Sequence, residues 1–221
     1  MEGVYFPIIK IMESASNTER ELSNPRNAEV VQGKGAMLRG FLLALDEAGL
    51  RKEVHARVSP RTAVAMDHPP PVSAWIDPAP MEEIIDVVAS LRGIAAVRAV
   101  NRSATLIGLA PIMRTVVEGL LRIFGVSPFT LFARLRHLSS GNVRGVEYRW
   151  RALSPTSGEL TVRYPRREAM SWNVLVGIAG TLEAVFDVCG AIGRVSHPRP
   201  LEDGRINGAR YVVEIVRAKS A

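Results

Sequence analysis

Apolar and polar residues recur along this chain in two rhythms, and the change from one to the other divides it. Met37, Leu38, Phe41, Leu42 and Leu45 repeat at the spacing of one helix face until Gly49 supplies a stop. Glu29-Val30-Val31 before them reads as a short strand. Leu50 to Val58 and Ser59 to Met66 read as short helices, the second opened by Ser59 as N-cap and Pro60 in its first turn. His68 to Pro80 carries Pro69, Pro70, Pro71, Pro78 and Pro80, so it must cross as an ordered loop. Met81, Ile84, Ile85, Val88 and Leu91 predict a helix ended by Gly93. A broad apolar stripe predicts a buried helix from Leu106 to Phe124, ended by Gly125. Ser127-Pro128 opens one more, with Phe129, Leu131, Phe132, Leu135 and Leu138 inside and Arg134 and Arg136 outside.

The period then drops to two. Val146, Tyr148 and Trp150 alternate with Glu147, Arg149 and Arg151, and Leu160, Val162 and Tyr164 alternate with Glu159, Thr161 and Arg163, around the turn Ser154 to Gly158. This is a hairpin with one apolar and one basic face. A long helix follows, carrying Trp172, Leu175, Val176, Ala179, Leu182 and Phe186. Ala191 to His197 and Ala209 to Arg217 then form a second strand pair. The predicted class is α+β: a helical N-terminal half followed by a ββαββ antiparallel-sheet half. It forms one domain over residues 29–217, preceded by an N-terminal arm and polar linker (1–28) and followed by a short tail (218–221).

Composition adds limits more than chemistry. The 221 residues are 47% apolar and 23% charged, which excludes global disorder and low-complexity architecture. A single cysteine, Cys189, excludes an internal disulfide. The formal charge is +6, and all but Lys10, Lys34, Lys52 and Lys219 of the 28 basic residues are arginine, which fits oxyanions bidentately but is dispersed along the chain. Met1 to Met12 lacks a basic leader and a small-residue cleavage site, and the longest apolar stretch, Val174 to Val185, is interrupted at Glu183. The expectation is therefore a cytoplasmic protein with no membrane span.

Gly33-Lys34-Gly35, between a strand and a helix, would present backbone N–H groups to a phosphate, although neither full glycine-rich motif is present. A tight strand-to-helix turn is the plainer account of it. His55, His68, His137 and His197 lack metal-ligand spacing, no nucleophile elbow is present, and Cys189 at a helix C-terminus is placed to be an inert core thiol. Glu82-Glu83 complements a helix dipole. No catalytic residue, metal or cofactor is assigned. Two candidate sites remain. Trp75, Phe124, Trp150, Trp172 and Phe186 come from different elements, all read as inward, and would line an apolar ligand pocket between helices and sheet, where a dry, filled core is the plain alternative. Arg149, Arg151, Arg163, Arg166 and Arg167 would bind an anion or an acidic partner from the hairpin, where a solvated face neutralised by Glu147 and Glu159 is the plain alternative. Tyr148, Trp150 and Tyr164 alternate to the opposite side, which argues against a stacking platform for nucleic acid.

The order of elements, with Gly180-Thr181-Leu182-Glu183 before Cys189-Gly190-Ala191 and Asn207-Gly208-Ala209-Arg210-Tyr211-Val212-Val213 at the end, resembles the ligand-binding fold of haem nitric-oxide-binding domains, V4R domains and Bet3-like trafficking subunits. Within it, Val31-Gln32-Gly33, Phe124-Gly125-Val126-Ser127-Pro128 and that last stretch resemble an uncharacterised paralogous family of myxobacteria. Haem-binding members of the fold carry a Tyr-x-Ser-x-Arg signature that holds the porphyrin carboxylates. The comparable stretch here, Tyr148-Arg149-Trp150-Arg151-Ala152, lacks the serine and the last arginine, and only by ignoring that would His137 be an axial ligand. The resemblance implies a bacterial, non-catalytic sensory or adaptor domain. It would bind a small apolar ligand or a signalling protein, as a homodimer. The alternative is an anion- or nucleic-acid-binding module using the basic hairpin over residues 144–167.

Overall fold

Pairing and packing, rather than periodicity alone, decide where each element starts. The computed structural model describes residues 30–124, 127–165, 170–201 and 207–217, with 109–124 as helical backbone. The chain divides into units Met1–Val30 and Val31–Ala221, and every element below belongs to the second. Phe124's side chain, the apolar stripe expected over 109–124, Gly125, Arg166 and Arg167 lie outside the described residues.

Strand β1 (Gln32–Lys34) precedes helix α1 (Gly35–Glu47), which buries Leu38, Phe41, Leu42 and Leu45. The strand expected over Glu29–Val31 falls later because β1 is paired on both edges. Gly33 sits opposite Ile76 of β2 (Trp75–Ile76) and Val143 of β3 (Val143–Arg144). Two-residue partners carry no readable period. After α2 (Arg51–His55), Ser59 caps α3 (Pro60–Asp67), its hydroxyl accepting from Thr62 N–H.

Helix α4 (Ala79–Phe124) leaves helical dihedrals at Gly93, where φ is 76° and ψ 178°. The stop expected there is real, but the helix resumes at Ile94 instead of Leu106. Arg98, Asn101 and Arg102 hid this second start, because they are polar residues turned toward other elements. Glu83, expected only to complement the helix dipole, instead ties α4 to α3. Its carboxylate accepts from Ser59 N–H at 2.5 Å and from the hydroxyls of Ser59 and Thr62 at 2.8 and 2.5 Å. Burial acts to raise this pKa, but the three donors outweigh it and hold the group below its ordinary 4.5. A depressed carboxyl stabilises the fold above its unfolded pKa, and the contribution is lost as pH falls through the lower folded value. Glu83→Gln should therefore cost about 1–2 kcal/mol at neutral pH and little in strong acid, as read by urea unfolding at both pH values.

Ser127 caps α5 (Pro128–Ala133), and the chain breaks at Arg134 before α6 (Leu135–Ser139), so the single helix expected there is two. The sheet half follows the expected ββαββ order with one two-residue strand, β7, added before the last: β4 (Glu147–Ala152), β5 (Ser157–Arg163), α7 (Trp172–Cys189), β6 (Ile192–Val195), β7 (Arg199–Pro200) and β8 (Gly208–Arg217). The strands are antiparallel in the order β4-β5-β8-β6, with β7 also pairing β8.

Helix α7 is the centre of this second unit. By length and composition it is apolar enough to cross a membrane, with mean hydropathy 1.4, yet half of it is buried here against α4 and the sheet. Leu175, Val176, Ala179 and Leu182 meet Leu160, Val162, Tyr211 and Val213 of the inner sheet face in one apolar cluster. The Tyr211 hydroxyl donates to the Leu175 carbonyl at 2.9 Å, which satisfies the one polar atom that its burial removes from water. On its other side α7 approaches α4 through Gly180: a Cβ there would lie 2.2 Å from the Arg98 carbonyl oxygen.

Candidate functional site

The interface between helices and sheet is occupied by aromatic rings. Phe132 of α5 stacks on Trp150 of β4, with ring centroids 5.2 Å apart and planes 18° from parallel. Phe129 tilts against the same indole at 5.1 Å, and Phe186 of α7 meets Phe132 edge-on at 5.9 Å. Each end of the stack lies on a glycine of the sheet. A Cβ at Gly158 would fall 2.2 Å from the Trp150 ring, and one at Gly193 would fall 2.2 Å from Phe186. These glycines make room for rings, and the rings cover backbone that would otherwise lack side-chain packing.

Of the four aromatic residues expected to line one pocket whose side chains are described, Trp150 and Phe186 are brought together, joined by Phe132. Trp75 is elsewhere, on the β2-β1-β3 sheet, with the Lys34 ammonium 4.0 Å and the Arg144 guanidinium 4.4 Å from its ring. Trp172 is 41% exposed, because it occupies the first position of α7, ahead of the first buried residue, Val174. Phe132 and Phe129 were legible as inward positions. Gly158 and Gly193 were the missed signal, each interrupting a strand pattern.

An open groove of about 430 Å³ runs along α4 and α7, beside Ala95, Ala99 and Leu106. Its charged groups are already engaged. Arg98 pairs with Glu183 and donates to the Val195 carbonyl at 2.7 Å. Arg102 grips Asp187, one bond being 2.6 Å, and hydrogen bonding to that carboxylate raises the pKa of its guanidinium.

The phosphate cradle read into Gly33-Lys34-Gly35 is closed. Gly35 N–H donates to the Ala74 carbonyl at 2.8 Å and Ala36 N–H to that of Val72 at 3.1 Å. A Cβ at Gly35 would lie 2.2 Å from the Pro71 carbonyl oxygen, so the glycine serves the close approach of the proline-rich loop. Arg39 fastens that loop through the Pro69 and Pro70 carbonyls. Among the described residues no three His, Cys, Asp or Glu side chains gather around a metal-sized space. Burial pushes the Cys189 thiol up to about 11. Its alkylation by iodoacetamide at pH 8 should therefore be on the order of a hundredfold slower than that of an exposed cysteine, measured by mass against time, and should accelerate on unfolding.

On the outer sheet face, Arg149, Arg151 and Arg163 are all exposed, as expected. Arg151 is neutralised by Glu159 at 3.1 Å. Arg134 and Arg136 are exposed on the α5–α6 side, while Arg144 turns inward to the Gln32 side-chain oxygen, 2.8 Å from its Nε. The same face gains Arg194, Arg199 and Arg210 from β6, β7 and β8. Strand pairing brings these in from distant sequence, so no local pattern marked them.

Haem does not fit these residues. Along β4, Tyr148, Trp150 and position 152 share one side of the strand, and Arg149 and Arg151 point to the other. Where the signature would place a serine hydroxyl and a guanidinium stand an indole, pressed on Gly158 and stacked on Phe132, and the methyl group of Ala152. His137 is exposed on α6.

No family model and no curated protein matches this sequence. Solved structures do match it. An Fe(II) unliganded H-NOX protein from K. algicida is similar over 85% of this chain and 99% of its own, at 10% identity and a TM-score of 0.58. An H-NOX protein from S. oneidensis in the Fe(II) ligation state is similar over 85% and 98%, at 15% identity and a TM-score of 0.57. A structure concerned with haem redox potential and porphyrin distortion is similar over 85% and 97%, at 10% identity and 0.58. The chain thus has the α+β fold seen in H-NOX proteins, with an aromatic stack packed between its helices and its sheet.

Proposed function

We propose that this chain is a non-catalytic sensory or adaptor domain of the H-NOX-like fold that works without haem, by binding a signalling protein. The observation that carries this reading is the Phe129–Trp150–Phe132–Phe186 stack seated on Gly158 and Gly193. Those rings fill the place between helices and sheet where an apolar ligand was expected, which favours a protein partner over a small molecule. The charged groups along the α4–α7 groove are tied to one another, and Cys189 is held as a thiol, so neither supplies a reacting group. The reading takes residues 29–217 as the working domain, in the cytoplasm and as a homodimer. The finer kinship, with the myxobacterial paralogous family, rests on Val31-Gln32-Gly33, Phe124-Gly125-Val126-Ser127-Pro128 and the stretch Asn207 to Val213.

The test is native mass spectrometry of the full chain, expressed with haem precursor supplied, set against its denatured mass and its visible spectrum. Equal masses per chain and no Soret band are expected. A Soret band with haem mass overturns haem independence. A different co-purifying small molecule returns the function to ligand binding.

A further inference from the structure

Among the described residues, the outer face of the five-stranded sheet carries six arginines, and their arrangement is uneven. Glu159 takes Arg151 at 3.1 Å, Glu214 takes Arg194 at 2.5 Å, and Glu147 stands opposite Arg163 in register. The remaining three form a row. Arg149 of β4 is opposite Thr161 of β5, Thr161 is opposite Arg210 of β8, and Arg210 is opposite Arg199 of β7. Residues directly opposite in antiparallel strands point to the same side. Arg210 neighbours the fully buried Tyr211, so the row faces away from the core. All three arginines are exposed, and among the described residues none of them makes an ion pair.

Two like charges placed directly opposite across strands destabilise a sheet. Arg199 and Arg210 are such a pair, and among the described residues neither has a carboxylate partner. An external anion would remove the repulsion and collect two guanidinium forks at once. Arg149 lies two strands from Arg210, about 10 Å at the ~4.8 Å strand spacing, with the Thr161 hydroxyl between as a donor. Two carboxylates seven residues apart on a helix are also separated by about 10.5 Å, at 1.5 Å per residue. The aromatic side chains of these strands, Tyr148, Trp150 and Tyr211, face the core, so the row offers bases nothing to stack on.

From this we infer that the row Arg149–Thr161–Arg210–Arg199 is the docking face for an acidic helix of a partner protein, one carboxylate bridging Arg199 and Arg210 and a second engaging Arg149. The inference rests on the interaction-domain reading above and names its surface and the chemistry of its partner.

The experiment uses the full chain and a fluorescent helical peptide bearing glutamates seven residues apart, read by anisotropy at several salt concentrations. Binding should weaken as salt rises. Arg149→Gln, Arg199→Gln and Arg210→Gln should each weaken it at least tenfold. Arg151→Gln, on the same face but already paired with Glu159, should stay within about twofold. Arg199→Gln and Arg210→Gln should leave the melting temperature unchanged or raised, which separates lost contact from lost fold. Absent binding, or equal losses in all four variants, overturns the assignment. So does row-dependent binding that is tighter for a single-stranded DNA oligonucleotide or a phosphatidylserine vesicle than for the peptide. Failure here with a ligand-free native mass removes this face alone, whereas a bound small molecule removes the adaptor reading whatever the peptide does.

Discussion

Phe132→Ala should lower the free energy of unfolding by about 3–5 kcal/mol, the range for deleting a buried aromatic ring whose surroundings cannot collapse into the space. Phe132 is 1% exposed and is the only described ring that touches both Trp150 and Phe186. Its removal leaves those two resting on Gly158 and Gly193 with nothing between them, and glycine has no side chain to move into the gap. Trp150→Ala should fall toward the lower end of the range, because part of the indole already meets solvent. The double variant should cost less than the sum by about 0.5–1.5 kcal/mol, since each single change already breaks the stacked pair. Denaturant unfolding followed by circular dichroism measures all three. A loss below about 1 kcal/mol for Phe132→Ala would mean that the rings do not pack as described.

Gly180→Leu should act by the opposite means. A Cβ at this position lies 2.2 Å from the Arg98 carbonyl oxygen, which is backbone within α4 and cannot swing aside. The helices must separate, and Arg98 would then be drawn from Glu183 and from the Val195 carbonyl, its links to α7 and β6. Overpacking typically costs about 1–3 kcal/mol, and a clash against backbone at the centre of the fold should reach or exceed the upper end. Gly180→Ala should cost less and keep the fold. A Gly180→Leu protein as stable as the parent in urea would show that α4 and α7 are free to part.

The two halves of the chain were legible because each obeys a single rhythm over many residues. The stripes of α1 and α7 and the alternation of β4 and β5 follow from burying one face of each element. What escaped lay where one residue answers to a distant one. Arg98, Asn101 and Arg102 look like solvent-facing breaks in a helical pattern until Glu183, Gly177 and Asp187 stand opposite them. Strands β2 and β3 are two residues long and exist because β1 pairs with both. Trp150 and Phe186 do converge, but residue type cannot say whether converging rings enclose a space or fill one. The glycines beneath them decide that: in sequence Gly158 reads as the end of a turn, and Gly193 as one residue within a strand. The outward placing of Arg149, Arg151 and Arg163 follows from alternation, while the unneutralised row needs Arg199 and Arg210, which only strand order delivers.

Gly93 has a consequence for how the molecule opens. Its dihedrals, φ 76° and ψ 178°, belong to a region essentially reserved for glycine, so the hydrogen-bond ladder of α4 is interrupted there. Amide protection in a continuous helix passes from turn to turn, but an interrupted one can be lost in separate pieces. The turns before Gly93 are held by α3 through Glu83, and those after it are clamped by α7 through Gly180 and Arg98. Hydrogen exchange should accordingly see two cooperative units within what looks like one rod, the first able to fray while the second keeps the sheet assembled.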